Sequence, residues 1–93
     1  MNKAGMVRNI REALDKNFYK KVKVRHDYKS KKFVVSFTDR HIKQESFIKR
    51  KKPYNKSIKI QNIVKYCGLR YLNSAWNWTD EGLVIDMYFN ERK

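Results

Sequence analysis

Cysteine, proline and glycine are all scarce in this chain of 93 residues. Cys67 is the single cysteine, so no disulfide can form within the chain, and a disulfide-stabilised secreted fold is excluded. One cysteine and two histidines cannot supply the four ligands of a zinc site. Gly5, Gly68 and Gly82 are too far apart to form a phosphate-binding glycine loop. We therefore expect neither a metal nor a cofactor.

Long apolar runs are absent as well. No stretch approaches the roughly 18–20 apolar residues of a membrane-spanning helix, and no apolar segment of a secretory signal follows Met1. We expect a cytoplasmic protein without membrane contact, in the cytosol of a bacterium or of a host cell carrying a virus. The chain suffices for one small basic domain, residues 1–93, and its 41% of hydrophobic residues can build a packed core.

Acidic residues are few, and charge is unevenly distributed. The chain has 23 lysine and arginine residues against nine aspartate and glutamate residues, a formal net charge of +14 at pH 7. Residues 1–65 hold 20 of the basic and five of the acidic residues, whereas residues 66–93 are almost neutral and contain both tryptophans. Segregated charge produces a directional field that attracts a polyanion, and the commonest large polyanion is nucleic acid.

The first part of the chain predicts a helix followed by a β-hairpin. Apolar residues at helical spacing indicate a helix over residues 6–18, with Phe18 on its buried side. Apolar residues then alternate over residues 22–28 and 33–38, with a polar turn at residues 29–31. This alternation places three basic residues together on the face opposite the valines, namely Lys21, Lys23 and Arg25.

A basic link follows this hairpin. Residues 39–56 carry seven basic residues, four of them consecutive at Lys49 to Lys52, and include the only proline, Pro53. Because a residue before proline is pushed towards extended conformations, we expect a loop here rather than a helix. A short strand at Phe47 and Ile48 is an alternative beginning for this loop.

The second part predicts another helix and another hairpin. Ser57 is the expected N-cap of the helix and Gly68 its C-terminal stop, with a strand at residues 58–60 as the alternative for its first residues. Strands over residues 70–78 and 83–90 then flank a hairpin turn. One face of the last strand should carry Leu83, Ile85, Met87 and Phe89, and one face of the strand before it Leu72, Trp76 and Trp78.

Together these elements predict an α+β fold, an antiparallel sheet of two hairpins with two helices on one face. The order helix–strand–strand occurs twice, which raises the alternative of a tandem repeat. Local similarity accompanies this order, since Arg8-Asn9-Ile10 matches Gln61-Asn62-Ile63 and Phe33-Val34-Val35 matches Leu83-Val84-Ile85. The predicted architecture does not depend on a duplication.

Basic residues interspersed with aromatic residues form the candidate binding surface. Lysine and arginine neutralise phosphates and release counterions, and exposed aromatic rings stack on bases. Lysines outnumber arginines by 16 to 7, which favours contacts to the phosphate backbone over bidentate reading of bases. The candidate binding residues are Lys21, Lys23, Arg25, Lys29, Lys31, Lys32, Lys49, Arg50, Lys51, Lys52, Tyr54 and Lys56.

No arrangement of catalytic residues stands out. His26 and His41 lack the spacing of a known general acid–base pair, and His26 falls on the apolar side of its predicted strand. Asp86, Glu91 and Lys93 only partly match the acidic–acidic–lysine pattern of metal-dependent nucleases. We therefore predict that the protein is not an enzyme, with a basic ribonuclease as the enzymatic alternative. The two tryptophans are expected to contribute to the core, the alternative being a platform for stacking bases.

Two classes of function fit these features. The first is a non-enzymatic nucleic-acid-binding protein that grips the phosphate backbone of DNA or RNA through a basic hairpin and loop. The second is a small inhibitor or adaptor of the counter-defence type that phages and mobile elements encode. It would bind an acidic host protein or a protein–nucleic acid complex. Both explain a short and one-sidedly basic chain without catalytic groups.

Overall fold

The computed structural model of the protein describes residues 2–40 and 55–92. Within these ranges the elements are, in chain order, α1 (Lys3–Lys16), β1 (Lys23–Asp27), β2 (Lys32–Asp39), α2 (Asn55–Tyr66), β3 (Leu69–Thr79) and β4 (Gly82–Glu91). The strands form one antiparallel sheet in the order β1-β2-β4-β3. The predicted α+β class, with two hairpins in one antiparallel sheet, is confirmed.

The two hairpins join side by side through their second strands. Residues Phe33 to Asp39 of β2 pair with Phe89 to Leu83 of β4, so β1 and β3 lie at the two edges of the sheet. Residues directly opposite each other in neighbouring strands share a face of the sheet. We call the surface that faces α1 and α2 the helix side, and the opposite surface the outer face.

The core lies between the helix side of the sheet and the two helices. The predicted alternation in β4 is confirmed, because Leu83, Ile85, Met87 and Phe89 are all fully buried on this side. Burial of such side chains from water is the main favourable contribution to folding. The other buried members of this cluster are Ile10, Leu14, Val22, Phe33, Val35, Phe37, Ile60, Val64 and Leu69.

α1 lies a few residues earlier than its predicted range of 6–18. Asn2 caps its first turn, and the Asn2 side-chain oxygen accepts a hydrogen bond from the Gly5 N–H at 2.7 Å. The helix ends at Lys16, so the prediction that Phe18 belongs to its buried side is wrong. Phe18 has a left-handed φ of 67°, which turns the chain after the helix and brings the following residue, Tyr19, against the core.

α2 begins two residues before the predicted N-cap, Ser57, and that prediction is also wrong. Ser57 lies inside the helix and is buried, and its hydroxyl donates a hydrogen bond to Sδ of Met87 at 3.4 Å. Packing against β4 therefore takes this side chain away from a capping role. The alternative of a strand at residues 58–60 is excluded by the same helix. Gly68 follows the helix with a φ of 97°, as expected for a C-terminal stop.

The last hairpin has the predicted turn. Thr79 pairs with Gly82, which leaves the two-residue loop Asp80-Glu81 between them. Gly82 has a φ of 131°, and a Cβ atom there would lie 2.2 Å from the carbonyl oxygen of Asp39. Only glycine fits this close approach between the end of β2 and the start of β4.

Trp76 and Trp78 share the helix side of β3, as predicted, but a bulge interrupts the predicted alternation at Leu72. The register shifts between Tyr71 and Asn73, so Leu72 interrupts the alternation and has no partner in β4. Trp78 packs against the core, as expected for at least one of the two tryptophans. Trp76 lies opposite Ile85 on this edge strand and is 41% exposed.

Some predictions concern residues beyond this description. The strand at Phe47 and Ile48 and most of the basic loop, including Lys49 to Lys52 and Tyr54, lie outside the described residues. The order helix–strand–strand does occur twice in the described part. A tandem duplication of the sequence stays a prediction.

Candidate nucleic-acid interface

The outer face of the first hairpin carries the predicted basic residues. Lys23 lies opposite Ser36 and Arg25 opposite Val34, whereas Val24 and His26 lie opposite core residues of β2. Lys23 and Arg25 therefore point away from the helices, as the alternation predicted. Lys21 precedes β1 rather than belonging to it. A strand that ends at Asp27 also leaves Tyr28, predicted to be its last residue, in the hairpin loop with 74% of its surface exposed.

The loop of this hairpin is held in place by Asp27. Its carboxylate accepts hydrogen bonds from the Ser30 hydroxyl at 2.9 Å and from the Lys29 N–H at 3.1 Å. These two bonds, that of Ser30 first, lower the pKa of Asp27 below its ordinary value, because both favour the charged carboxylate. Lys31 completes the loop with a left-handed φ of 59°. The exposed lysines Lys29 and Lys31 thus project from an ordered turn next to Lys32.

The centre of the outer face is polar but not basic. The hydroxyl of Ser36 donates a hydrogen bond to the carboxylate of Asp86, which joins β2 to β4 on this side. Val34 is only 1% exposed although it is on the outer face, and its direct neighbours across the strands are Arg25 and Tyr88. The basic surface is therefore concentrated on β1, its loop and the segment before it.

Two cavities lie beside the end of β2. β1 begins at Lys23, opposite Ser36, whereas β2 extends three residues beyond Ser36, to Asp39. One cavity, of about 540 Å³, has both signs of charge among its described lining residues, which include Lys23, Arg40, Glu81 and Asp86; it shares Lys21 and Lys56 with the second cavity. We call the other cavity, of about 470 Å³, the lysine groove; its described lining consists of Phe18, Tyr19, Lys20, Lys21, Val22, Phe37, Thr38 and Lys56.

The lysine groove is the more electropositive of the two cavities. Three lysines and no carboxylate belong to its described lining. The ammonium group of Lys56 lies 5.0 Å from the centroid of the Phe37 ring, a cation–π geometry that holds it at the wall of the groove. Lys56 comes from the C-terminal end of the predicted basic loop, residues 39–56. Together with Lys21, from the other end of the predicted binding surface, it lines both cavities.

Within residues 2–40 and 55–92, no carboxylate forms an ion pair with a lysine of the first hairpin or of the lysine groove. Ion pairs among the described residues join Lys3 to Glu91, Arg11 to Asp15 and Arg40 to Glu81. None of these pairs involves a lysine of the first hairpin or of the lysine groove. Since an unpaired ammonium group keeps its full attraction for an external anion, these lysines can bind phosphates.

The opposite edge of the sheet, β3, carries a single charged residue, Arg70. Residues 71–79 of β3 contain no charged residue, in a chain in which 34% of the residues are charged. The first hairpin with its flank, residues 20–32, holds seven basic residues and one acidic residue. The second hairpin, residues 69–92, holds two basic and four acidic residues. The sheet order β1-β2-β4-β3 thus turns a separation along the sequence into a separation in space.

Phe18 and Arg40 are lining residues for which the sequence indicated no binding role. Helical spacing assigned Phe18 to the core, and no pattern gave Arg40 a role. A helix-ending motif without glycine leaves little trace in a sequence, which is why the exposure of Phe18 escaped prediction. Arg40 is one of seven basic residues in 39–56, so nothing in the sequence distinguishes it from the others.

The residues considered for catalysis are dispersed. His26 lies on the helix side, with its ring centroid 4.7 Å from that of Phe33 and 4.6 Å from that of Tyr28. Asp86 is on the outer face of β4, whereas Glu91 is on the helix side and binds Lys3. In residues 2–40 and 55–92, no three side chains of the metal-ligating types lie close enough to share an ion. His41 and Lys93 fall outside the described residues.

No known protein family, curated protein or solved structure matches the chain. In the part of the chain that the structure describes, neither helix has the length and apolar character needed to cross a membrane.

Proposed function

We propose that this protein is a non-enzymatic nucleic-acid-binding protein of the cytoplasm that grips the phosphate backbone of DNA or RNA. The observation that carries the proposal is the concentration of unneutralised lysines at one edge of the sheet, around β1 and the lysine groove. Such an array attracts a polyanion from a distance and releases its counterions on contact.

The chemistry of these residues favours backbone contacts over base reading. Lysine ammonium groups bind phosphate as point charges, whereas the planar fork of arginine suits bidentate contacts to guanine. Only Arg25 among the first-hairpin cations is an arginine. We therefore expect little sequence preference, with the basic run at Lys49 to Lys52 adding to the same contact.

The position of His26 supports a binding role rather than a nuclease activity. The ring of His26 is packed against Phe33 on the side of the sheet away from Lys23 and Arg25. A general acid or base must come within hydrogen-bond reach of the reacting phosphate. A phosphate bound on the outer face is on the wrong side of the sheet for His26, and a phosphate in the lysine groove lies at the opposite end of β1 from it.

A second candidate function has its own supporting observation, the long charge-free stretch of the edge strand β3. Native proteins commonly protect edge strands with lysine, proline or short length. β1 follows this rule with five residues and two basic side chains, whereas β3 is 11 residues long and charge-free from Tyr71 to Thr79. An acidic host protein that adds a strand to this edge would make the protein an inhibitor or adaptor.

Purification from the native cell at low salt, with and without nuclease treatment, distinguishes the two candidates. The proposed function predicts that nucleic acid accompanies the protein and that nuclease removes all stable partners. The contrary result is one acidic protein that remains bound after nuclease treatment and is lost when Ser74, whose N–H faces the free edge of β3, is changed to proline. Pro at this position removes a backbone donor without touching any lysine.

A further inference from the structure

Phe18 contributes little to the stability of the fold, for two reasons: its backbone is strained and its ring is exposed. It occupies the position after a helix that glycine usually takes, with the Phe18 N–H donating to Asp15 O at 3.1 Å and the Tyr19 N–H to Leu14 O at 2.9 Å. A side chain with a left-handed φ is strained, since its Cβ approaches the backbone. In addition, 89% of the Phe18 surface is exposed, so its ring contributes little to the core.

A strained residue that the fold does not need is a reason to look for binding. The fold does not need the Phe18 ring, because the next residue, Tyr19, already supplies the apolar contact that usually accompanies this type of helix end. Glycine or asparagine at residue 18 would permit the same turn. The phenylalanine ring is therefore best explained by something that it contacts outside the protein.

The surroundings of the ring indicate what it contacts. Phe18 forms part of the lysine groove, together with Lys20, Lys21 and Lys56. A flat exposed ring beside three ammonium groups matches the two parts of a nucleotide, a base that stacks and a phosphate that pairs with lysine. An acidic peptide would satisfy the lysines but would leave the ring without a flat partner.

We propose that Phe18 is a stacking platform for an unpaired base and that the lysine groove holds the adjoining phosphate of the same strand. This inference rests on the proposed function and adds a preference for single-stranded over duplex nucleic acid. Bases in a duplex are already stacked on each other, so the ring strengthens the binding of single strands only. Phosphate contacts alone act on both forms.

The test compares wild type with Phe18→Gly, using labelled single-stranded and duplex oligonucleotides of mixed sequence. The variant should melt a few degrees higher, because glycine removes the strain at this φ. Its affinity for the single strand should fall by about 5- to 100-fold, the usual loss of one stacked base. Its affinity for the duplex should stay within about twofold of wild type, since no charge changes.

Two further variants serve as controls. Phe18→Trp keeps a ring for stacking and should retain single-strand affinity. Tyr66→Ala removes an aromatic residue that is 93% exposed but lies outside the groove, and it should change neither affinity. Together these results would separate stacking at Phe18 from a general loss of aromatic surface.

Failure of this inference is distinguishable from failure of the proposed function. If Phe18→Gly binds the single strand as tightly as wild type, and binding remains salt-dependent, the stacking platform is refuted and the phosphate grip stands. If wild type binds neither form at low salt, the proposed function itself fails. An equal loss of affinity for single strand and duplex also contradicts the stacking platform.

Discussion

Replacing Phe33 by alanine should lower the free energy of unfolding by about 3–5 kcal/mol. Phe33 is fully buried at the start of β2, where it pairs with His26 on one side and Phe89 on the other. Its ring contacts the His26 ring edge-on, and the ammonium group of Lys3 lies 5.8 Å from its centroid. Truncation therefore leaves a cavity between the sheet and α1 that the surrounding structure cannot readily close.

The effect is large relative to the whole stability of such a protein. Small domains unfold at a cost of roughly 5–15 kcal/mol, and the net charge of +14 lowers that value further through self-repulsion. Tyr66→Ala is the matched control, because Tyr66 is almost fully exposed and its loss should change stability by no more than about 0.5 kcal/mol. Urea unfolding of both variants measures the difference. Equal effects of the two substitutions would contradict the placement of Phe33 in the core.

Neutralising the lysine groove should have the largest effect on binding. With Lys20, Lys21 and Lys56 replaced by glutamine, affinity for any nucleic acid at about 50 mM salt should fall by about 100-fold or more. The slope of log K against log salt should become less steep by about 2 to 3, because each lost phosphate contact removes roughly 0.7 to 0.9. Titration of labelled duplex and single strand at several salt concentrations measures both quantities.

The control for this variant has the same change in net charge. Lys16, Lys59 and Lys65 lie on the helices and line neither cavity at the end of β2. Replacing these three by glutamine should reduce affinity by no more than about threefold, through the general field alone. If the two triple variants lose affinity equally, the groove is not the binding surface and only the net charge of the protein matters.

The sequence predicts those parts of the fold that depend on local pattern. The period of two in β4 identified its four buried residues, because an alternating strand buries one face whatever its neighbours are. The pairing of β2 with β4 could not be read in the same way. It connects residues about 50 positions apart, as Ser36 and Asp86 show, and no local pattern selects one strand partner over another.

The errors at Phe18 and Ser57 have a common physical reason. Both residues were assigned by local rules, helical spacing for Phe18 and capping preference for Ser57, and tertiary packing overrides such rules. Tyr19 fills the core site that Phe18 was expected to fill, and Ser57 reaches Met87 from inside the helix. The basic stripe of Lys23 and Arg25 was predictable because it follows from strand alternation alone. The sequence did not predict that Lys21 and Lys56 line the same groove.

The salt dependence of nucleic-acid binding by the wild-type protein tests the central proposal most directly. If the unneutralised lysines contact about five phosphates, log K against log salt should fall with a slope of roughly −3.5 to −4.5, similar for unrelated sequences. Fluorescence anisotropy between about 50 and 200 mM salt suffices for the measurement. A slope near zero, or no binding at about 50 mM salt, would contradict a protein that grips the phosphate backbone.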